Sequence, residues 1–450
     1  MEITKSDLQN LSIDVAGIKL RTPVAVGPIG KAAIRDEYIT PEEYANIFLK
    51  HIEAGSGFIN LPFSIDVPDA LIADLKRKAK PADFSSTSMR TKIVMKAGSK
   101  GQSLYLLGGN PAPPEMMAKI FERETKTLIQ TLRKKKPKDI PMIANVAGLG
   151  FFPETFVTTA KAHEQAGVDM IELNLSSPGA VRLKESLDGY FEKDFPLTSP
   201  GLFLGDQPNL VEEITREVVK AVDIPVGVKI SPETGFPRVI KLAKAIREAG
   251  AKFIVCSNLG VTIAPPDIHN KGKTKWQRID GNPFCDVGGD LLRMSVYKQV
   301  AAIAKFVPGI DIMGCGGLVS PEHIVETMML GAKATQVVTA MLYQGRKLIN
   351  RDVEFIHSYM KEHGYQSVKE FVGLSQQYIQ PALGLSFQDD MVSEVDPRKC
   401  NGCGICMDSI CLSINFENRL AKVDADKCTG CGICIAICPR GAITLIPNSH

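Results

Sequence analysis

The sequence predicts an α/β fold: a (β/α)8 TIM barrel followed by a small, cysteine-rich C-terminal module. Three observations predict it. A short apolar run followed by a longer amphipathic stretch recurs about eight times, which is the barrel's count. No G-x-G-x-x-G opens a helix after any of these runs, so the fingerprint of the doubly wound dinucleotide-binding class is missing. Finally, the chain has 11 cysteines, and all but Cys256, Cys285 and Cys315 fall between Cys400 and Cys438.

The β-α units follow in order. "TPVAVGPIG" leads to "PEEYANIFLKHIEAG", and "GFINLP" comes next. "IPMIANVAG" leads to "ETFVTTAKAHEQAG", then "VDMIELNLSSPG". "IPVGVKISP" leads to "FPRVIKLAKAIREAG", then "AKFIVCSNLG". "GIDIMGCGG", "SPEHIVETMMLGA" and "ATQVVTAML" complete the series. The apolar runs are rich in Val and Ile and lack clean alternation, as in parallel strands buried on both faces. The helices start after Thr-Pro or Ser-Pro and stop at glycine. "HGYQSVKEFVGLSQQYIQP" reads as a final helix, and an acidic, non-periodic stretch follows. The expected domains are therefore a barrel over 1–387, a linker over 388–397 and the small module over 398–450.

Composition excludes several functions. The 450 residues carry a net charge of +3 and no apolar stretch of membrane-spanning length, so neither a nucleic-acid nor a membrane partner is expected. The runs "KRKAK" and "RKKKPKD" are either solvated faces or docking sites for an acidic redox partner. "MEITKSDLQN" does not read as a signal peptide. The three scattered cysteines suggest no oxidative stapling, so a cytoplasmic location is expected.

The C-terminal cysteines are spaced as C-x-x-C-x-x-C twice. Cys400, Cys403 and Cys406 precede Cys411; Cys428, Cys431 and Cys434 precede Cys438 and Pro439. Paired C-x-x-C also occurs in zinc ribbons, and cysteine-rich modules can be disulfide scaffolds. The repeated triple with a terminal Cys-Pro is more specific than either. It resembles the bacterial-type 2[4Fe-4S] ferredoxin domain. That resemblance implies that the fourth cysteine of each run ligates the other cluster. One [4Fe-4S] cluster would take Cys400, Cys403, Cys406 and Cys438; the second would take Cys428, Cys431, Cys434 and Cys411. Leu412 stands where the second run has Pro439.

The strand ends hold the barrel's candidate chemistry. "GCGGLVSPE" and "VVTAMLYQG" offer either bare backbone N–H groups for a phosphate dianion or ordinary turn glycines. "VDMIELNLSSPG" puts Asn174, Ser176 and Ser177 at a strand end, where the serines either act on substrate or cap the next helix. Lys229 lies mid-strand in "VGVKIS" and needs a buried acceptor, either a cofactor edge or a salt-bridge partner.

With these residues the barrel resembles the dihydroorotate dehydrogenase family of FMN enzymes. "IANVAG", "IELNLSSPG", "VKISP", "GCGGL" and "VVTAML" fall in the family's order. With the ferredoxin module, the whole resembles the dihydropyrimidine-dehydrogenase-type branch and its bacterial catalytic subunit. The resemblance implies an oxidoreductase acting on CH–CH groups, with FMN and two [4Fe-4S] clusters. It implies that Ala25, Gly27, Asn174, Lys229, Gly288, Gly289, Gly316, Gly317, Thr339 and Ala340 bind FMN. Asn145, Asn174 and Asn258 would bind substrate, and Ser177 would be the general acid/base, helped by Ser176 or Thr262. A hydride would pass between flavin and one ring carbon, and a proton between Ser177 and its neighbour.

The chain departs from the family pattern in places. Asn60-Leu61-Pro62 replaces a lysine-bearing strand end, Gly179 replaces an asparagine, and Leu259 replaces a threonine. Each change removes a group that would otherwise bond a pyrimidine edge or an orotate carboxylate, which counts against orotate and weakens uracil and thymine. On the resemblance, a pyrimidine such as uracil or thymine remains the leading expectation. A less polar cyclic substrate (an enone, lactam or aromatic-derived ring) is the alternative, and a non-catalytic electron-transfer subunit a further one. The insertion around His269, Lys271, Lys273, Lys275 and Trp276 is expected to be a lid. Without a nucleotide fingerprint, the clusters imply an external electron donor. That donor would be an NAD(P)H-oxidising flavoprotein subunit or a soluble ferredoxin, and a homo- or hetero-oligomer is expected.

Overall fold

The computed structural model describes residues 10–29, 39–78, 91–97, 103–109, 119–148, 152–176, 208–274, 284–380, 391–409 and 411–448. The chain forms two compact units, 1–379 and 380–450.

In the first unit the strands run β1 (Ile13–Val15), β2 (Ile18–Leu20), β3 (Val24–Val26), β4 (Ile59–Ser64), β5 (Thr91–Ala97), β6 (Ser103–Gly109), β7 (Met142–Val146), β8 (Met170–Asn174), β9 (Val226–Ile230), β10 (Phe253–Cys256), β11 (Gly260–Ile263), β12 (Phe284–Gly289), β13 (Asp311–Cys315) and β14 (Ala334–Val337). Eight of them form one parallel sheet in the order β3-β14-β13-β10-β9-β8-β7-β4. Strands β7, β8, β9 and β10 are buried along their whole length, as their non-alternating, mostly apolar runs predict.

The two ends of this sheet meet. Gly57 N donates to Val24 O at 2.9 Å and Gly57 O accepts from Arg21 N at 3.2 Å. A side chain at Gly57 would put its Cβ 2.1 Å from Thr22 O, so only glycine allows this approach. The side chain of Asn60 adds a further stitch, donating to Val26 O at 2.7 Å. The β4–β7 register shifts between Asn60 and Phe63. Pro62 lies in that gap and has no N–H to give a ladder.

Helices cover the strands, and local chemistry fixes their ends. Thr40 and Glu43 form a reciprocal capping box at the start of Pro41–Glu53. Gly167 ends Pro153–Ala166 in the left-handed conformation. Buried Phe121, Phe156 and Phe253 belong to the apolar packing between helices and strands.

Three features differ from the sequence reading. The insertion after β10 is an antiparallel arm: β11 pairs with β12, β12 with β6 and β6 with β5. Lys275 and Trp276 lie outside the described residues. The expected final helix is instead two short 3-10 turns, Val368–Glu370 and Leu374–Tyr378, separated by Gly373 in a left-handed conformation. The expected linker 388–397 also needs correction. Met391–Val395 is a strand, β15, within the second unit. Its mixed sequence hid it, because Ser393 and Glu394 interrupt the apolar run.

The second unit contains two antiparallel pairs. β15 pairs with β18 (Ile443–Pro447), and β16 (Ile414–Glu417) pairs with β17 (Leu420–Val423).

Candidate active site

Polar side chains enter the barrel interior from several strands. Asn60, Asn145, Glu172, Lys229 and Gln336 are all buried. Asn145 sits opposite Glu172 on neighbouring strands, and Asn174 sits opposite Lys229. Side-chain alternation puts Glu172 and Asn174 on one face of β8.

Glu172 is the hub. It accepts from Asn145 Nδ2 at 2.5 Å, Lys229 Nζ at 3.3 Å and Gln336 Nε2 at 2.7 Å. Lys229 Nζ also donates to Gln336 Oε1 at 2.8 Å. Gln336 Nε2 donates to Asn60 Oδ1 at 3.1 Å. Toward the strand ends, Asn174 Nδ2 donates to Asn145 Oδ1 at 3.0 Å, and Asn258 Nδ2 to Asn174 Oδ1 at 2.9 Å. A carboxylate only accepts, so Glu172 fixes which way each amide in this chain points. Ser176 Oγ donates to Lys229 O at 3.0 Å and is within 3.4 Å of Asn258 Nδ2.

Burial opposes the Lys229 charge, but Cys315 and Glu172 beside it more than offset this and hold the ammonium above its usual pKa. Burial pushes the Cys315 thiol up; Lys229 opposes that shift and Glu172 adds to it. Glu172 is the carboxylate partner of Lys229, 3.3 Å away. Cys256 is also buried, and burial raises its thiol pKa. Both cysteines act as small packing residues.

The acceptor required by Lys229 is thus a salt-bridge partner within the barrel. Glu172 and Gln336 were not singled out in the sequence. Their signal was the one that marked Lys229, a polar residue inside an apolar strand: "IELN" and "TQVV".

The predicted glycines gather from separate segments. Gly316 and Gly317 have φ of 113° and 76°. A Cβ on Gly317 would lie 2.4 Å from Arg293 N, so this turn lies against the start of helix Arg293–Phe306. Gly288 and Gly289 end β12, a few residues earlier in the chain. The helix Thr339–Gln344, which starts with Thr339 and Ala340, packs against β12. Gly27 N donates to Val337 O at 2.9 Å, and Ala25 lies beside Gln336 in the ladder. Asn258 and Thr262 flank the start of the antiparallel arm. Ser177 and Gly179 lie outside the described residues.

In the second unit, Cys400, Cys403, Cys406 and Cys438 line one space of about 330 Å³, part of it open to solvent. On the other side, Ser393 N donates to Cys428 Sγ at 3.4 Å. Ser393 Oγ lies 3.2 Å from Cys434 Sγ, and Ser413 Oγ 2.9 Å from Cys411 Sγ. The first run is thus joined by the last cysteine of the second, and Cys411 sits beside a serine shared with Cys428.

A family model described as dihydroorotate dehydrogenase matches residues 121–360, more than half of the chain. The chain belongs to the dihydroorotate dehydrogenase family. A 4Fe-4S binding domain model matches residues 421–444. The catalytic subunit of dihydroorotate dehydrogenase B (NAD(+)) from Methanothermobacter thermautotrophicus is 30% identical over 239 residues, covering 53% of this chain and 70% of that one. The Pyrococcus furiosus counterpart is 31% identical over 243 residues, covering 54% and 71%. The Escherichia coli NAD-dependent dihydropyrimidine dehydrogenase subunit PreA is 26% identical over 300 residues, covering 64% and 67%.

As a member of the dihydroorotate dehydrogenase family, the protein is an oxidoreductase acting on CH–CH groups. The family implies FMN, and the 4Fe-4S match supports iron–sulfur binding. The residues present fit both groups. The Gly317 turn packs its backbone directly against the start of helix Arg293–Phe306, and backbone N–H groups beside a helix N-terminus would suit a phosphate. Four thiols from both cysteine runs line one common space, as a shared cluster would require. Among the described residues, no three His, Cys, Asp or Glu side chains converge tightly enough for a single ion. No described helix is long and apolar enough to cross a membrane.

Proposed function

We propose that this protein reduces, or reversibly oxidises, the ring C=C bond of a neutral pyrimidine such as uracil or thymine. One observation carries the reading. The described polar layer of the barrel is charge-balanced: Lys229 is paired with Glu172, and the other members are neutral amides. Asn60, in place of the family's lysine, has both ends of its amide bonded, to Val26 O and to Gln336 Nε2. A layer with no unpaired cation favours a ligand without a carboxylate over orotate. The amides of Asn145, Asn174 and Asn258 each carry a donor and an acceptor, as the imide edge of a pyrimidine does.

In this reading FMN is held by Lys229, Asn174 and backbone near Ala25, Gly27, Gly288, Gly289, Gly316, Gly317, Thr339 and Ala340. When bound it supplies hydride transfer and one-electron exchange. The chain's own residues do the rest. Glu172 keeps Lys229 charged and aimed. The asparagine chain orients the substrate ring. Ser176, anchored on Lys229 O, sets the backbone just before Ser177, which moves the proton on the neighbouring ring carbon. The eight module cysteines hold two [4Fe-4S] clusters, which link the barrel to an external donor. Relatives named as a catalytic subunit and as a subunit favour a partner flavoprotein in that role.

The test is product analysis. Anaerobic protein given dithionite should convert uracil or thymine to a product about 2 mass units heavier, corresponding to two added hydrogens. Conversion of orotate but neither of these would overturn the reading. Leu259 and buried Pro62 favour a less polar ring as the second reading, so a cyclic enone belongs in the same assay.

A further inference from the structure

The second unit is an internal duplication, and its two halves differ at two buried positions. "MVSEVDPRKCNGCGIC" (Met391 onward) aligns without gaps with "RLAKVDADKCTGCGIC" (Arg419 onward). The fold keeps the correspondence. A Cβ on Gly402 would lie 2.2 Å from Arg419 O, and one on Gly430 would lie 2.6 Å from Met391 O. Asp396 N donates to Ala442 O at 2.8 Å, and Asp424 N to Ser413 O at 2.7 Å. Ser393 therefore matches Ala421, and Ser413 matches Ala442.

All four residues are buried. The serines sit on one set of cysteines: Ser393 Oγ is 3.2 Å from Cys434 Sγ, and Ser413 Oγ is 2.9 Å from Cys411 Sγ. The alanines line the other set, with Cys400, Cys403, Cys406 and Cys438. There a backbone amide donates to a sulfur, Ala442 N to Cys438 Sγ at 3.3 Å. Among the described residues no side-chain hydroxyl bonds to these four sulfurs; the Ser409 hydroxyl donates to the backbone oxygen of Cys406 instead.

We propose that this serine-for-alanine difference sets the two clusters at different potentials, with the cluster on Cys411, Cys428, Cys431 and Cys434 the more easily reduced. The inference rests on the reading that the module holds two clusters. An iron-bound thiolate can only accept, so each serine hydroxyl must donate to it. Reduction adds one electron, and a donor to sulfur stabilises the added negative charge. The alanine-lined cluster lacks these two donors. The first electron delivered to the module therefore rests on the serine-lined cluster, whichever external donor supplies it.

The test uses the whole iron-loaded protein. Iron and sulfide analysis should give about eight of each per chain. A mediated redox titration followed by electron paramagnetic resonance then reads both midpoints. Ser393→Ala with Ser413→Ala should lower the higher midpoint alone. The shift should be about tenfold in the reduced-to-oxidised ratio at fixed potential, or about 59 mV. Ala421→Ser with Ala442→Ser should raise the lower midpoint alone. The higher-potential signal should survive Cys438→Ser. Overturning results are unchanged midpoints in both double variants, or movement of the lower midpoint when the serines are removed. About four irons per chain would instead remove the two-cluster reading, and the proposal with it.

Discussion

Glu172 Oε1 lies 3.3 Å from Lys229 Nζ, and both side chains are buried inside the barrel. Removing one partner of such a pair leaves an uncompensated charge, which costs roughly 3–5 kcal/mol. Glu172→Gln should therefore destabilise the barrel by about that amount and loosen FMN. Glu172→Gln with Lys229→Met should cost less than the sum of the single changes. Urea midpoints and flavin release on dialysis measure both effects. Additive costs would mean that the two groups do not interact.

Gly317 and Gly309 both have positive φ, 76° and 87°. A side chain at Gly309 would meet nothing within 4 Å, whereas at Gly317 it would strike Arg293 N. Gly309→Ala should cost only the left-handed backbone strain, roughly 1–2 kcal/mol, and leave flavin content intact. Gly317→Ala should strip the flavin. Equal flavin content in the two variants would contradict the assigned phosphate cradle.

Stability should fall on acidification because of two buried histidines. Burial pushes His163 and His51 down to about 4, with a nearby Arg346 adding to the shift at His51. Their folded values lie below the unfolded value, so their contribution is full above about pH 6.5 and lost as pH falls toward 4. Each is worth roughly 3 kcal/mol across that window. Asp352 acts in the opposite sense: burial, opposed by Arg351, raises it to about 6. Its contribution is full below about pH 4 and lost as pH rises to 6. His163→Gln should flatten the melting-temperature profile between pH 6.5 and 4 relative to the parent. An unchanged slope would show that His163 does not carry the effect.

Cys438 lies far along the chain from Cys400, Cys403 and Cys406 yet lines the same space. Cys438→Ser should therefore remove about half the iron and spare the cluster on Cys411, Cys428, Cys431 and Cys434. Cys411→Ser should do the reverse. Distinct electron paramagnetic resonance signals in the two variants would support crossed ligation. A lost signal common to both would contradict it.

Much of this molecule could be read from its sequence, for identifiable physical reasons. Predominantly apolar runs such as "MIANV" and "FIVC" marked parallel strands because both faces of those strands are buried. Lys229 announced itself because a charge inside an apolar run must find a partner. The partner's identity was hidden, because Glu172 and Gln336 come from strands whose adjacency only closure of the barrel creates. The antiparallel arm was also hidden, because β12 pairs with β6 across a long chain separation and the strands carry no shared local pattern. Strand β15 was missed because Ser393 and Glu394 break its apolar pattern. The proton-transfer residue stands on sequence resemblance, since Ser177 lies beyond the described residues.

The most direct measurement is a single turnover. Fully reduced, iron-loaded protein is mixed without oxygen with uracil, thymine or orotate, and the flavin and iron–sulfur bands are followed together. The expected result is fast flavin reoxidation by uracil or thymine, none by orotate, and iron–sulfur reoxidation following as the clusters resupply the flavin. Fast reoxidation by orotate with no response to uracil or thymine would contradict the claim that the balanced Lys229–Glu172 layer selects a neutral ring.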